Sequence, residues 1–164
     1  MILIAFGANL DSPVGSPRET IAAALAELAR RSIEPVRRSA LFETAPVPPS
    51  GQPNYINGVL EVVTALPPDL LLADLLDIER QFGRERGDEK NAPRSLDLDL
   101  IAYGTVVQDG PPILPHPRMA ERAFVLLPLC EIAPEWVHPV LNLAVPDLLA
   151  RLKAPDSQAI RVSG

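Results

Sequence analysis

Two aspartates in one predicted strand are the first residues that could do chemistry. Asp97 and Asp99 lie in the segment "PRSLDLDLIAYG", residues 93–104, where apolar and acidic residues alternate. Because successive side chains of a strand point to opposite faces, both carboxylates share a face, with Cα atoms roughly 6.5 to 7 Å apart. At an effective dielectric near 20, two such charges repel by about 2 to 3 kcal/mol. The sequence therefore predicts a feature that offsets this repulsion.

Two environments could hold such a pair of acids. On a solvated face of an antiparallel sheet the carboxylates would stay hydrated and form loose salt bridges with arginines. Alternatively, they bind a hard divalent cation such as Mg²⁺, which takes one or two protein carboxylates and completes its shell with water and substrate phosphates. An aspartate pair alone favours the solvated face, so the neighbouring residues decide between the two.

Two long loops interrupt the regular pattern of the chain. Residues 43–54 are rich in proline, and residues 83–94 are rich in charge and lead directly into the aspartates. Loops of this length in a small domain are usually functional lids or disordered segments. Arg84 and Arg94 lie at the ends of the second loop, where guanidinium groups could bind phosphate oxygens in bidentate fashion. Arg86 is interpreted instead as paired with acids of the same loop.

Further polar and aromatic residues occur in two other segments. Tyr55 and Asn57 share a face of a predicted strand, and a ring beside an amide can stack against a flat heterocycle and bind its hydrogen-bonding edge. Such a pair is also ordinary in sheets. His116 lies between two prolines in an extended segment, which is an unusual place for a structural histidine. His138 is predicted to be a surface or hydrogen-bonded histidine without a chemical role.

Composition and charge limit the possible functions. The chain has 164 residues, enough for a proper core, and we expect a single domain over residues 1–164. Its net charge of -6 argues against nucleic-acid binding. The only cysteine, Cys130, cannot form an internal disulfide, which fits a reducing cytosol. The first apolar run is too short for a signal peptide or a membrane span, so we expect a cytoplasmic protein without membrane partners.

The hydrophobic period alternates between two and 3.6 residues along the chain. Ser16 is predicted to cap a first helix, with Pro17 at its first position and Glu19 completing a capping box. A second helix should begin after Pro67 and end near Gly83. Strands are predicted at "ILIAF", "SIEPVRRSALFET", "YINGVLEVVTAL" and the acid-bearing segment, and shorter helices at "MAERAFVLLPLCEIAP" and "NLAVPDLLARLK". This β-α-β-β-α-β order predicts an α+β sandwich, with helices on one face of an antiparallel sheet and the other face free for a site.

Five motifs occur in order along the chain: "GAN", "QPNYING", "GR" after the second helix, "PRSLDLDLIAYG" and "PHPRMAERAFVLLPLCEIAP". Together they resemble the 6-hydroxymethyl-7,8-dihydropterin pyrophosphokinases of the folate pathway, over nearly the whole chain. The resemblance implies a ferredoxin-like α+β fold and transfer of the β,γ-pyrophosphoryl group of ATP to the pterin hydroxymethyl oxygen, which releases AMP. It also implies ATP and 6-hydroxymethyl-7,8-dihydropterin as substrates and two Mg²⁺ ions as cofactors, and we expect a monomer.

The resemblance assigns roles by position. Asp97 and Asp99 become the Mg²⁺ ligands, and with Arg84 and Arg94 they form the expected catalytic set. The expected contacts to ATP are Arg84, Arg94, His116, Arg118 and Arg122. Tyr55 and Phe124 should sandwich the pterin, and its edge should be read by Asn57, Thr44 and the backbone near Ala45 and Val47. Metal ions and arginines suit this chemistry, because phosphoryl transfer needs alignment and charge neutralisation.

The chain departs from the family pattern at three positions. Asn91 stands where the family often has a tryptophan, so the bulky lid residue over the pterin is missing. Ala8 replaces a common serine and Ala45 a common proline, but both positions contribute chiefly backbone. Two other classes remain compatible with the residues. A nucleotidyltransferase could use the same aspartates and release inorganic pyrophosphate, and a binding protein without a lid would bind its ligands without turnover.

Overall fold

The structure, a computed structural model, describes residues 1–46, 51–83, 95–153 and 160–162. An antiparallel sheet lies at the centre of these residues. Its strands are β1 (Ile2–Ala8), β2 (Glu34–Arg38), β3 (Leu41–Thr44), β4 (Tyr55–Val63), β5 (Asp97–Tyr103) and β8 (Ile160–Val162). They follow the order β5-β1-β4-β3-β8, with β2 paired to β4 beside β3. Two further short strands, β6 (Gln108–Asp109) and β7 (Ile113–Leu114), pair with each other. The aspartates therefore lie on the strand at one edge of the main sheet.

The helices begin and end largely where the sequence predicts. They are α1 (Pro17–Arg30), α2 (Pro68–Gln81), a 3₁₀ turn (Met119–Glu121), α3 (Ala123–Ile132) and α4 (Val145–Ala150). The predicted capping box is confirmed, because the Ser16 hydroxyl accepts the Glu19 N–H at 3.3 Å and the Glu19 carboxylate accepts the Ser16 N–H at 3.2 Å. Gly83 follows α2 with a φ of 99°, a left-handed conformation that favours glycine. No helix in the described ranges is long and apolar enough to cross a membrane.

One predicted strand is divided in the structure. The segment 32–44 forms β2 and β3, with Ser39 between them. The Ser39 hydroxyl accepts the Val59 N–H and the Ser39 N–H donates to the Val59 oxygen, both at 3.0 Å. The same hydroxyl contacts the next carbonyl, of Ala40, at 2.7 Å. The Ser39 hydroxyl thus replaces a backbone acceptor in the hydrogen-bond ladder. This interruption ends β2 and separates it from β3.

α1 and α2 pack on the first face of the sheet. The core on this face contains Ile4 and Phe6 of β1, Leu98 and Leu100 of β5, and Leu60 of β4. The helices add the apolar residues that recur at helical spacing, Ile21, Leu28, Leu71, Leu75 and Ile78, all buried. The even-numbered residues of β1, together with Leu98 and Leu100 of β5, therefore face these two helices.

α3 packs on the second face, where the core contains Leu3, Ala5, Val59 and Ile101, and α4 packs against α3 in the same core. The expected α+β class with an antiparallel sheet is confirmed. The expectation that helices cover only one face is wrong. The second face, which was expected to be free for the site, is partly covered by α3. Ile101 continues the row of Asp97 and Asp99, so the second core begins where the acidic part of β5 ends.

Candidate active site

The strand register places predicted site residues from three strands side by side on the second face. Gly7 of β1 pairs with Asn57 of β4 on one side and with Asp97 of β5 on the other. Ala5, two residues earlier on β1, pairs with Asp99. Directly opposed residues of antiparallel strands share a face, and neighbouring strands lie about 4.8 Å apart. Asn57 and Asp97 are therefore separated by about 10 Å, with only Gly7 between them.

The two aspartates form the acidic end of this face. Both side chains are partly exposed to solvent. Within the described residues, no group of three or more histidine, cysteine or acidic side chains is arranged to hold a metal ion. A cation bound to Asp97 and Asp99 would complete its shell with water and substrate phosphates, which is how proteins usually hold Mg²⁺. This donor set fits Mg²⁺ in complex with a nucleotide.

His116 is fixed beside β5 by two backbone hydrogen bonds. Its N–H donates to the Ile101 oxygen at 2.9 Å, and its Nδ1 accepts the Arg118 N–H at 3.1 Å. Burial and, to a smaller extent, the nearby charge of Arg122 lower the pKa of His116, while Asp97 acts in the opposite direction, and the net pKa is about 4. The ring is neutral at pH 7, and because Nδ1 accepts, its proton lies on Nε2. His116 therefore offers a hydrogen-bond donor at Nε2 without carrying a charge.

Arg122 supplies a partly desolvated cation close to the acids. Burial lowers the pKa of Arg122, whereas the carboxylates of Asp99 and Asp97 raise it. An arginine keeps its proton in proteins, so the side chain is charged. Its guanidinium carbon lies 5.3 Å from the centroid of the Phe124 ring, within cation–π range. A half-buried guanidinium held over a ring is well suited to bind a phosphate group.

Asn57 and Thr44 form the other end of the face. Both are buried, and the Asn57 Nδ2 donates to the Thr44 hydroxyl at 2.7 Å. Tyr55 pairs with Thr44 across the strands and is half-buried. A Cβ added to Gly7 would lie 2.5 Å from the Asn57 Oδ1, which is closer than real contacts allow. The glycine therefore leaves the space that the Asn57 amide occupies.

Sequence reasoning missed Gly7 and Asn9 as individual site residues. Asn9 is 2% exposed, and its Nδ2 donates to the Gln52 Oε1 at 3.2 Å and to the Pro53 oxygen at 3.1 Å. It connects the end of β1 to the proline-rich loop that leads into Tyr55. The signal for both residues was the "GAN" motif, in which a glycine and an amide end an apolar strand.

Other predicted residues are placed differently. Arg118 has an exposed side chain, and its charge acts on both His116 and Arg122. Ala45 is exposed directly after β3. Five residues with predicted roles lie outside the described ranges: Arg84, Arg86, Arg94, Val47 and Asn91.

His138 has the structural role that was predicted for it. The side chain is buried, and its Nδ1 accepts N–H groups of Val140 at 3.2 Å and of Leu141 at 3.1 Å. Its ring meets Trp136 edge-on with centroids 5.8 Å apart. Burial lowers the pKa of His138. The prediction of a hydrogen-bonded histidine is confirmed.

Comparison with known proteins identifies the relatives of the chain. Residues 3–134 match the family model described as 7,8-dihydro-6-hydroxymethylpterin-pyrophosphokinase (HPPK). A 2-amino-4-hydroxy-6-hydroxymethyldihydropteridine pyrophosphokinase of Synechocystis is 44% identical over 133 residues, which cover 80% of this chain and 67% of that protein. The protein of the same name from Pseudomonas aeruginosa is 40% identical over 151 residues, covering 91% of this chain and 90% of its own length.

Some relatives are much longer than this chain. The chain spans only 20% of the length of the folic acid synthesis protein fol1 of Pneumocystis carinii. Likewise, the crystal structure of HPPK-DHPS from Plasmodium falciparum with pteroate superposes with a TM-score of 0.63 at 12% identity, over 90% of this chain and 43% of that one. At this identity the likeness shows the fold alone, and it confirms the expected ferredoxin-like architecture.

The resemblance seen in the five motifs is thus confirmed by independent comparisons. The match to the family model extends from β1 through α3, and so it includes every strand and helix that carries the site described above. This chain belongs to the 7,8-dihydro-6-hydroxymethylpterin-pyrophosphokinase family.

Proposed function

We propose that this chain transfers the pyrophosphoryl group of ATP to 6-hydroxymethyl-7,8-dihydropterin, giving AMP and the pterin diphosphate for folate biosynthesis. The single observation that carries the proposal is the arrangement around Gly7. A buried amide–hydroxyl pair that suits a heterocycle edge lies about 10 Å from a carboxylate pair that suits a cation with phosphates. Membership in the pyrophosphokinase family supports it.

The pterin is proposed to bind at the Asn57 end. Its ring is flat and carries donors and acceptors along one edge, which need fixed partners in the protein. The hydrogen bond from Asn57 to Thr44 fixes the amide before any ligand arrives. Tyr55 and Phe124 are proposed to stack on the two faces of the ring, and the backbone near Ala45 and Val47 to complete the edge contacts.

The nucleotide phosphates are proposed to bind at the Asp97 end. Asp97 and Asp99 would hold two Mg²⁺ ions. Bound there, Mg²⁺ would neutralise phosphate charge and help align the attacking and leaving oxygens. His116 would donate from Nε2 to a phosphate oxygen, and Arg122 would bind the phosphates through its charged guanidinium. Arg118 is proposed as an outer contact, and Arg84 and Arg94 as further phosphate contacts.

With the pterin at one end of the face and the phosphates at the other, the protein would catalyse the reaction chiefly by aligning its two substrates. The hydroxymethyl oxygen must attack the β-phosphorus in line with the departing AMP oxygen, and correct placement alone can lower such a barrier greatly. The fixed amide orients the acceptor, while the cations orient the donor and offset its charge. A dedicated general base is not required by this arrangement.

We also propose that the protein is a cytoplasmic monomer with a single domain, acting on these two substrates without nucleic-acid or membrane partners. The acidic net charge of -6 and the single cysteine support this assignment. Light scattering on the purified protein would test the monomer, and a dimeric mass would contradict it.

Product analysis tests the function. Incubated with MgATP and 6-hydroxymethyl-7,8-dihydropterin, the protein should give AMP and pterin diphosphate in equal amounts, because attack occurs at the β-phosphorus. Ion-exchange chromatography resolves the nucleotides, and EDTA should stop the reaction. ADP as the main product would identify an ordinary kinase, and inorganic pyrophosphate a nucleotidyltransferase. Either of these products would refute the proposal. So would AMP that forms without the pterin, or binding of both ligands without any product.

Replacing Tyr55 tests the pterin sandwich. Tyr55→Ala should weaken pterin binding up to about tenfold, since a stacked aromatic contributes about 0.5 to 1.5 kcal/mol beyond its buried area. Tyr55→Phe keeps the ring and should bind the pterin nearly as the wild type does. Calorimetry with each ligand should show unchanged ATP affinity in both variants. A large loss of ATP affinity in Tyr55→Ala would show that Tyr55 contacts the nucleotide and that the pterin does not bind at this end of the face.

A further inference from the structure

Glu79 is a buried acid to which the proposed mechanism gives no role. It lies on α2, its side chain is 2% exposed, and its Oε2 accepts the Leu98 N–H at 2.7 Å. A carboxylate is costly to bury unless hydrogen bonds compensate for the loss of water. Glu79 follows Leu75 by four residues, so it lies on the apolar stripe of the helix, where a purely packing position would be apolar.

The partner of Glu79 lies directly between the two aspartates. Leu98 separates Asp97 from Asp99, and its side chain is buried in the core under α2. β5 is the edge strand of the sheet and pairs with β1 alone among the described strands. Asp97 is also the first residue of β5. This end of the strand therefore has one ladder partner, and Glu79 supplies a second attachment at the residue between the acids.

A second bond connects the same two elements just before the strand. The buried Ser95 hydroxyl donates to the Phe82 oxygen, at the end of α2, over 2.6 Å. The start of β5 is thus attached to α2 at positions 95 and 98. Because strand side chains alternate, a backbone held at Leu98 fixes the direction of both neighbouring carboxylates on the opposite face.

We propose that Glu79 is a positioning residue that sets the spacing and direction of the Asp97 and Asp99 carboxylates through the Leu98 N–H. The inference rests on the proposed function, in which these aspartates hold Mg²⁺. Residues that orient metal ligands from behind typically change metal affinity or activity by about 10- to 100-fold when they are replaced. Glu79 acts by its hydrogen bond, not by its charge.

Two conservative variants separate the hydrogen bond from the charge. Glu79→Gln keeps an oxygen acceptor at the same reach and removes the charge. Glu79→Asp keeps the charge and withdraws the carboxylate by one methylene, out of reach of the Leu98 N–H. Both variants retain a polar side chain of similar size, so we expect both to fold. Tyr103→Phe is the matched control, because it removes a hydrogen bond of 2.6 Å to the Leu66 oxygen at the far end of the same strand.

The measurement is the affinity for the α,β-methylene analogue of ATP, which cannot be cleaved, with Mg²⁺ and with EDTA. The ratio of the affinity with Mg²⁺ to the affinity with EDTA is the metal-dependent gain in affinity. We expect Glu79→Asp to reduce this gain about tenfold and to lower turnover similarly. Glu79→Gln and Tyr103→Phe should keep the gain within about twofold of the wild type.

Three outcomes would overturn the inference. A full metal-dependent gain in Glu79→Asp, with only a lower melting temperature, would make Glu79 a purely structural residue. A loss in Glu79→Gln equal to or larger than that in Glu79→Asp would assign the effect to charge. A wild-type protein without any gain from Mg²⁺ would instead remove the proposed metal site itself, so the two failures are distinguishable.

Discussion

Replacing either Asp97 or Asp99 with asparagine should abolish Mg²⁺-dependent turnover and leave the protein folded. Asparagine has nearly the same shape but lacks the charge that attracts a divalent cation. In the proposed mechanism the metal lowers the activation free energy by about 4 kcal/mol, so its loss should reduce turnover about a thousandfold or more. Steady-state formation of AMP from ATP and the pterin measures the loss.

The same substitutions should not harm the fold. The two carboxylates repel each other in the metal-free protein, so removing one charge relieves part of that repulsion. The same carboxylates also stabilise the half-buried charge of Arg122, so the two effects oppose each other and the melting temperature of the metal-free variants should stay close to that of the wild type. Glu61→Gln is a matched control, because Glu61 lies on the same face of the sheet at the far end of β4, where it pairs with Arg37 at 3.7 Å. Near-normal turnover in either aspartate variant would remove these residues as metal ligands.

Elements fixed by local chemistry were predictable from the sequence. The cap of α1 follows from Ser16, Pro17 and Glu19 within four residues of each other, and the end of α2 follows from Gly83. α3 was expected as a helix, but the side of the sheet on which it packs was not predictable. Its sequence "AFVLLPLCEI" is apolar almost all round, so it has no polar face to mark which side should be buried.

The site was predictable within each strand but not between strands. The period of two places Asp97 beside Asp99, and Tyr55 beside Asn57, on common faces. The register of β1 with both neighbouring strands decides which of its residues lies between these pairs. A slip of one residue would move every side chain of the strand to the other face of the sheet. The position of Gly7 between Asn57 and Asp97 is therefore a tertiary result.

Residues that support the site from behind were the hardest to identify. Glu79 and Asn9 read as ordinary polar residues near helix and strand ends, yet both are 2% exposed. Their burial follows from packing between elements that are distant in sequence. The absence of a bulky lid residue at Asn91 stays a prediction from the sequence, because that residue lies outside the described ranges.

Gly7→Ala should weaken pterin binding by about ten- to a hundredfold. The new methyl group would lie 2.5 Å from the Asn57 Oδ1, so the amide must leave its place and its hydrogen bond to Thr44. In the complex, the pterin edge then lacks its amide partner, and an unsatisfied buried polar group costs about 1 to 3 kcal/mol, a range that includes this change in affinity. Calorimetry with the pterin, in the presence of Mg²⁺ and the α,β-methylene analogue of ATP, measures it.

Gly58→Ala is the control for this change, because Gly58 follows Asn57 on β4 and faces the opposite side of the sheet. A Cβ there would lie 2.3 Å from the Phe6 ring, inside the core under α1 and α2. That variant should lose about 1 to 3 kcal/mol of folding free energy through overpacking, with pterin affinity retained by the folded protein. Gly7→Ala should also lose some stability, because it breaks the hydrogen bond from Asn57 to Thr44, but it should differ from the control by losing pterin affinity in the folded protein. If Gly7→Ala bound the pterin as the wild type does, the Asn57 amide would not be the group that reads the pterin edge.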